Sequence, residues 1–380
     1  YMNINRSHMY STCPLFNDDT LFTTTELDLT DTYTHVSHFD PDWEWDADDF
    51  QPIDPDHAWC PMGSQNAIIP HTTNEGALHI AIDALKPYGN TAIDMGMKWG
   101  VALLDPSTRD IITGLAGAAG TGVPAIAAGR PEEHTQSDVL KIVVLMTDGK
   151  NTQQYDLEEP FKNGMSPIWF HRQNANQSLI NVPSDRWSVQ YEGETTPNNR
   201  WDDMFYWHDV HSSMRYQQYP NGFANRNQYI NATPVGAPPA PGEGQRYQSN
   251  IYNATWQELY ADRVYNEVNN TYLSRPRNHG AIPYNDSSAL ETDYQSPDYP
   301  INYGVVNGSE ADDRLSDICE AARDQGIVIY TVAFEAPSEG QAALLDCASS
   351  PSHYFDVAGT DISDAFSAIA SDIRALKLTQ

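Results

Sequence analysis

Positive charge is scarce in this sequence: 21 Lys and Arg stand against 52 Asp and Glu, a formal net charge of −31 over 380 residues. That balance argues against nucleic acid as a partner and against direct attraction to anionic lipid. It suits a protein exposed to salt, where self-repulsion is screened. Long apolar runs are absent as well. None reaches the length of about 18 residues that a transmembrane helix needs, so membrane attachment is expected only through a segment this chain lacks. Cysteine is limited to Cys13, Cys60, Cys319 and Cys347, without the two close pairs of a zinc site. The simplest scheme joins Cys13 to Cys60 and Cys319 to Cys347, and the alternative is four buried thiols. Oxidised pairs would place the protein outside the cytoplasm. No G-x-x-x-x-G-K-[ST], G-x-S-x-G or H-E-x-x-H occurs, which leaves phosphate cradling, serine hydrolysis and zinc proteolysis without a motif. The chain opens on Tyr1, with neither an initiator Met nor a signal peptide, and is expected to be processed or to start part-way through a longer product.

What is present describes a packed globular protein, with 40% apolar and 11% aromatic residues. Residues 74 to 104 read as two helices. Ala77, Ile80, Ala81, Ala84 and Leu85 stripe the first, Met95 to Leu104 the second, with GNT between them. A Gly/Ala-rich loop, ITGLAGAAGTGVPAIAAG, follows. KIVVLMTDG at 141–149 is the clearest buried strand, GIVIYTVAF at 326–334 a second and HYFDV at 353–357 a third. Between them ADDRLSDICEAARDQ is amphipathic, and a closing helix runs through Ile362, Phe366, Ile369, Ile373 and Leu376 with Thr360 as N-cap. Alternating strands and helices predict a doubly wound α/β fold, with a mainly parallel sheet flanked by helices.

Residues 151 to 310 differ in kind. They are rich in Asn, Tyr and Trp, and only YNATWQELYADRVYNEVNNTYL (252–273) reads as helical. They are expected to form a large irregular insertion that splits the α/β unit into 1–150 and 311–380.

In open parallel sheets, binding sites lie outside the carboxyl ends of the strands. Asp148 sits there, directly after the clearest strand, and Thr91 lies at a loop–helix junction able to approach the same edge. A carboxylate and a hydroxyl are hard oxygen ligands for Mg²⁺ or Ca²⁺. The residues alone favour a plainer reading, in which Asp148 caps a turn and Thr91 caps the helix beginning near Asp94.

KIVVLMTDGKNT, with GNTAIDMGMKWG before it and GIVIYTVAF after it, resembles a von Willebrand factor A (VWA) domain. NTAIDMGMKWGVALLDP, GMSPIWFHR, RLSDICEAARDQGIVIYTVAF, LLDCASSPSHYFDV and IRALKLTQ more closely resemble the TadG-like proteins of tight-adherence (Flp) pilus systems. The likeness covers about 60–180 and 310–380, and more weakly 250–273. It implies a Rossmann-like VWA fold in a bacterial protein of the cell envelope, periplasm or cell surface. That protein would work through other proteins of a pilus or envelope assembly and would not be an enzyme. It also implies a metal-ion-dependent adhesion site in which Thr91 and Asp148 bind Mg²⁺ or Ca²⁺. The chain departs from the pattern in one place: it has no D-x-S-x-S. The nearest sequence, Asp361-Ile362-Ser363-Asp364-Ala365, opens the last helix instead of following the first strand. Residues 1 to 139 offer no buried strand longer than AIIP at 67–70. The first strands and that loop are therefore expected to precede Tyr1 or to come from another chain. Thr91 and Asp148 alone form an incomplete site of low occupancy.

Two other functions stand beside this one. A secreted hydrolase would use carboxylates of the run Asp40 to Asp56 or of the insertion, paired at about 5 to 10 Å. A structural subunit of a larger extracellular assembly would need no site at all. Calcium bound by the acidic run is a further possibility: Asp46-Ala47-Asp48-Asp49 has D-x-D spacing but lacks the rest of an EF-hand. The 12 histidines, His208 and His211 among them, are scattered. The sequons at Asn231, Asn253, Asn269 and Asn307 reflect an Asn-rich segment.

Overall fold

The computed structural model describes residues 10, 13–16, 18–40, 58–60, 67–85, 90–157, 159–174, 176–183, 186–191, 204–207, 216–247, 250–274 and 301–379. Strand Val328–Phe334 lies at the centre of a parallel sheet, between Tyr354–Val357 on one side and Ile142–Thr147 on the other. Its register with the latter runs from Val328 opposite Ile142 to Ala333 opposite Thr147. Strand alternation divides the apolar side chains between two faces. Leu145, Ile329 and Ala333 pack with Met97 and Val101 of helix Ile93–Ala102, Leu315 and Ile318 of helix Gly308–Asp324, and Leu344 of helix Ser338–Cys347. Tyr330 and Val332 face the other way, against Ile369 of the closing helix Ile362–Thr379. A strand covered on both faces has no polar side, which is why 326–334 reads as one continuous apolar run.

Helix starts follow local chemistry. Asn307 and Glu310 form a reciprocal capping box that opens Gly308–Asp324. Thr360 does not cap the closing helix. It lies inside a 3₁₀ turn, Gly359–Asp361, that feeds into it. The Gly/Ala-rich loop begins later than expected, since helix Arg109–Leu115 takes its first residues. AIIP at 67–70 forms no strand.

The N-terminal segment straps across the helical layer. Phe16 and Phe22 are fully buried there, and the buried Arg314 guanidinium donates to Asp19 at 2.6 Å and to the Phe16 carbonyl at 3.1 Å. Lys98, 1% exposed, donates to the Thr24 and Glu26 carbonyls at 2.6 and 2.8 Å. Burial pulls its pKa down to about 8. Two disulfides complete the frame. Cys13–Cys60 bridges Cα atoms 6.0 Å apart, and Cys319–Cys347 ties helix Gly308–Asp324 to the end of helix Ser338–Cys347 at 5.1 Å. The four cysteines are not buried thiols.

The expectation of a mainly parallel sheet with an irregular insertion needs correction. Strands Gln154–Leu157 and Ile301–Val306 pair antiparallel and form a stem. Beyond it lies a six-stranded antiparallel sheet, larger than the parallel one. Its order is Tyr216–Gln217, Met204–Trp207, Trp187–Tyr191, Met165–His171, Ile251–Thr255, Gln245–Tyr247. Its strands carry apolar side chains on both faces. Ile168, Phe170, Trp187 and Val189 enter one core, while Trp169 and Phe205 enter another. Polar–apolar alternation survives in Trp187–Tyr191 (WSVQY) but is missing from Met165–His171, Met204–Trp207 and Ile251–Thr255, and with it the usual sign of an antiparallel strand. For the same reason 252–255 is strand and not helix. The helix starts at Trp256, behind a capping box formed by Thr255 and Glu258.

Candidate functional site

The carboxyl ends of Ile142–Thr147 and Val328–Phe334 meet loops from three helices. Thr152 donates its backbone N–H to the Thr91 carbonyl at 3.0 Å and receives the Thr91 N–H on its own hydroxyl, also at 3.0 Å. Glycines allow the close approach. A Cβ built on Gly149 would stand 2.9 Å from Thr91 Oγ1, and one on Gly340 would collide with the Gly149 carbonyl. Thr91 and the residue after Asp148 are thus in contact across the loops, although 57 residues, 148 minus 91, separate Thr91 from Asp148.

The capping roles open to these two residues belong to neighbours. Asn151 Oδ1 accepts the Ile93 N–H at 2.7 Å at the start of helix Ile93–Ala102, and Asn151 Nδ2 donates to Asp312 at 2.9 Å. The turn N–H of Gly149 goes to Thr147 Oγ1 at 3.1 Å. Neither the Thr91 hydroxyl nor the exposed Asp148 carboxylate hydrogen-bonds to a described residue. The reading of both as caps is overturned. Beside them Lys150 and Glu339 form an exposed ion pair at 3.2 Å, a contact of little energetic weight.

As a metal site the edge is partial. Two hard oxygen donors fit Mg²⁺ or Ca²⁺ in kind, but not in number. Among the described residues no group of three or more His, Cys, Asp or Glu could hold a metal ion. Further ligands would have to be water or oxygens from another segment.

Two residues unremarked in the sequence shape this edge. Asn151 is the clasp, and nothing local marks it, because its partners are 58 and 161 residues away. Asp94 is fully buried in the first turn of helix Ile93–Ala102, and Gln154 Nε2 donates to both its oxygens at 3.1 Å. Burial raises its pKa to about 6 despite those bonds. The available signal was an acid in the first turn, four residues before Lys98 and on the face that carries Met97 and Val101.

The strand that leads to Asp148 is itself an edge. Among the described residues nothing pairs with its free side, and Val144 and Met146 are 39% and 49% exposed. Nearby in sequence, helix Glu75–Asp83 buries none of its residues, and Ile80 and Ile82 lie open. The acidic run from residue 41 to 56, His208 and His211 lie outside the described residues. The carboxylate-pair and calcium expectations placed on that run lie with them. Among the described residues no helix is long and apolar enough to cross a membrane.

No protein-family model and no curated protein matches the chain. Among solved structures, the vWF domain of the type V pili tip protein Mfa5 from Porphyromonas gingivalis is similar at 16% identity. The alignment covers 79% of this chain and 73% of that one, with a TM-score of 0.27. A superposition that loose carries no argument about this chain.

Proposed function

We propose that this chain is a non-enzymatic, VWA-type interaction module of the bacterial cell envelope or surface, of the kind found in TadG-like pilus-associated proteins. Its contact surface is the carboxyl edge of the parallel sheet. One observation supports the reading: Thr91 and Asp148, distant in sequence, lie at one edge with side-chain oxygens that bond to no described residue, while Asn151 and Thr147 do the capping. The residue motifs described above and the alternation of parallel strands with helices agree with it. The two disulfides support an extracytoplasmic location. Mg²⁺ or Ca²⁺ at Thr91 and Asp148 would add positive charge to a strongly acidic surface on which a partner protein docks. With two protein ligands, the cation binds weakly to this chain alone.

Metal titration of the whole chain, followed by its melting temperature, tests the proposal. Millimolar Mg²⁺, Ca²⁺ or Mn²⁺ should raise the melting temperature slightly in the parent protein and not in Asp148→Ala or Thr91→Ala. An equal response in all three proteins would remove the metal edge from the proposal. Steady turnover of a glycoside or peptide substrate by the purified chain would replace the proposal with the hydrolase alternative.

A further inference from the structure

A second site lies in the antiparallel insertion, independent of the metal edge. A cavity of about 570 Å³ opens between the end of strand Met165–His171, the proline-rich loop at 234–244 and helix Trp256–Asp262. That volume falls within the range of small-molecule sites. Its floor is held by mutually bonded groups. The Arg172 guanidinium lies 3.7 Å above the Tyr252 ring centre, and the Tyr252 hydroxyl bonds to Glu258. Gly244 donates its N–H to Tyr252 Oη at 2.9 Å and to Glu258 Oε2 at 3.0 Å, and the Thr255 N–H reaches the same carboxylate oxygen at 3.1 Å. Only glycine fits at 244, because a Cβ there would stand 2.7 Å from Glu258 Oε2 and 2.8 Å from the Tyr252 ring.

The charges lining this cavity are mixed and nearly balanced. Glu243, Glu258 and Asp262 contribute three carboxylates, Arg172 and Arg246 two guanidiniums. All three carboxylates act on the Tyr10 phenol at the rim, which burial and their field push well above its ordinary pKa. These carboxylates are not a metal cage, since no three acids among the described residues gather closely enough to hold an ion. An anion entering would meet three carboxylates, and a polycation two guanidiniums. A ligand bearing many hydroxyls meets no such conflict, because each hydroxyl can donate to a carboxylate and accept from a guanidinium. Pro238 and Pro239 add a flat apolar wall suited to the C–H face of a sugar ring.

We infer that this cavity binds a neutral oligosaccharide, held by the Glu243 and Asp262 carboxylates opposite Arg172 and Arg246, over a floor in which Glu258 is bonded within the protein. The whole chain would be titrated by calorimetry with maltotriose, cellotriose, chitotriose and lacto-N-tetraose, and separately with sialyllactose, inorganic phosphate and a trilysine peptide. At least one of the four neutral sugars should bind, and more tightly than any of the three charged probes. Arg246→Gln and Glu243→Gln each remove one charge-assisted hydrogen bond and should weaken that binding about tenfold. Ala237→Trp, which fills the cavity from an exposed loop position while keeping every charged group, should abolish it in a protein of unchanged melting temperature. The inference falls if no neutral sugar binds at millimolar concentration, if a charged probe binds best, or if Ala237→Trp binds as the parent does. The response to Mg²⁺ at Thr91 and Asp148 is unaffected by any of these outcomes.

Discussion

Asn151 caps a helix that begins 58 residues before it: its Oδ1 accepts the Ile93 backbone N–H at 2.7 Å, while its Nδ2 holds Asp312 on helix Gly308–Asp324. One side chain thus pins two helices to the loop that carries Asp148. Removing it strands a buried N–H at a helix start, and losses of this kind cost about 1–2 kcal/mol. Asn151→Ala should therefore lower stability by about that amount in urea unfolding, with an unchanged denaturant slope. Thr91→Ala, whose hydroxyl bonds to no described residue, should cost less than about 0.5 kcal/mol. Equal costs for the two substitutions would return Thr91 to the role of a structural cap.

Asp94 supplies a pH signature. Its folded-state pKa of about 6 lies above the ordinary carboxylate value of 3.8, so the folded protein binds a proton more tightly there than the unfolded chain does. By linkage, this group makes stability fall as pH rises from about 4 to about 6, and the loss remains at neutral pH. A shift of roughly two units corresponds to about 3 kcal/mol. Asp94→Asn keeps a neutral amide beside Gln154 and should be more stable than the parent protein at pH 7. It should lose that advantage near pH 4. Melting temperatures of both proteins between pH 4 and 7 give the comparison. A constant difference across that range would mean that Asp94 does not titrate there.

The parallel sheet and the antiparallel insertion differ in how far sequence reveals them. Val328–Phe334 and Ile142–Thr147 are visible as strands because almost every side chain along them is apolar, and alternating strands and helices then require parallel order. The insertion hides its strands because Trp169 and Phe170, neighbours in sequence, enter opposite cores. Thr255 and Glu258, three apart, carry the mark of a helix start, a signal that reading 252–273 as one helix passes over. The edge carrying Asp148 was legible in position, from the glycine turn after an apolar strand, although that strand proves half-exposed where the sequence reads as buried. Its contact with Thr91 was not, because it depends on Gly149 letting a loop far away in the chain approach, and on Gly340 letting the start of helix Ser338–Cys347 close against Gly149.

The two disulfides should differ in access more than in strength. Cys319 and Cys347 are fully buried, whereas Cys13 is partly exposed. The residue separations are 47 and 28, and in the chain-entropy view loops of these sizes each stabilise by about 4 kcal/mol. Under mild reductant and native conditions Cys13–Cys60 should open first, detected by mass after alkylation. Cys319–Cys347 should stay closed until the protein unfolds. Simultaneous labelling of all four thiols would mean that the helical layer opens as one unit with the N-terminal strap.

Self-association gives the last prediction, and it turns on salt. Val144 and Met146 stand half-exposed along a strand edge that no described strand covers, and such edges readily pair with other chains. Opposing this, each molecule carries a formal charge of −31. That repulsion reaches about 10 Å in 0.1 M salt but only about 3 Å in 1 M. Sedimentation velocity should therefore find monomers at low salt and a growing dimer fraction as NaCl rises toward 1 M. Met146→Lys places a charge on the edge, where the exposed side chain contributes little to folding, so its melting temperature should match the parent while the high-salt dimer disappears. If the parent stayed monomeric throughout the salt series, the edge would be protected within the protein itself. If Met146→Lys dimerised as the parent does, the association would belong to another surface, with the bare helix Glu75–Asp83 and its open Ile80 and Ile82 the next to substitute.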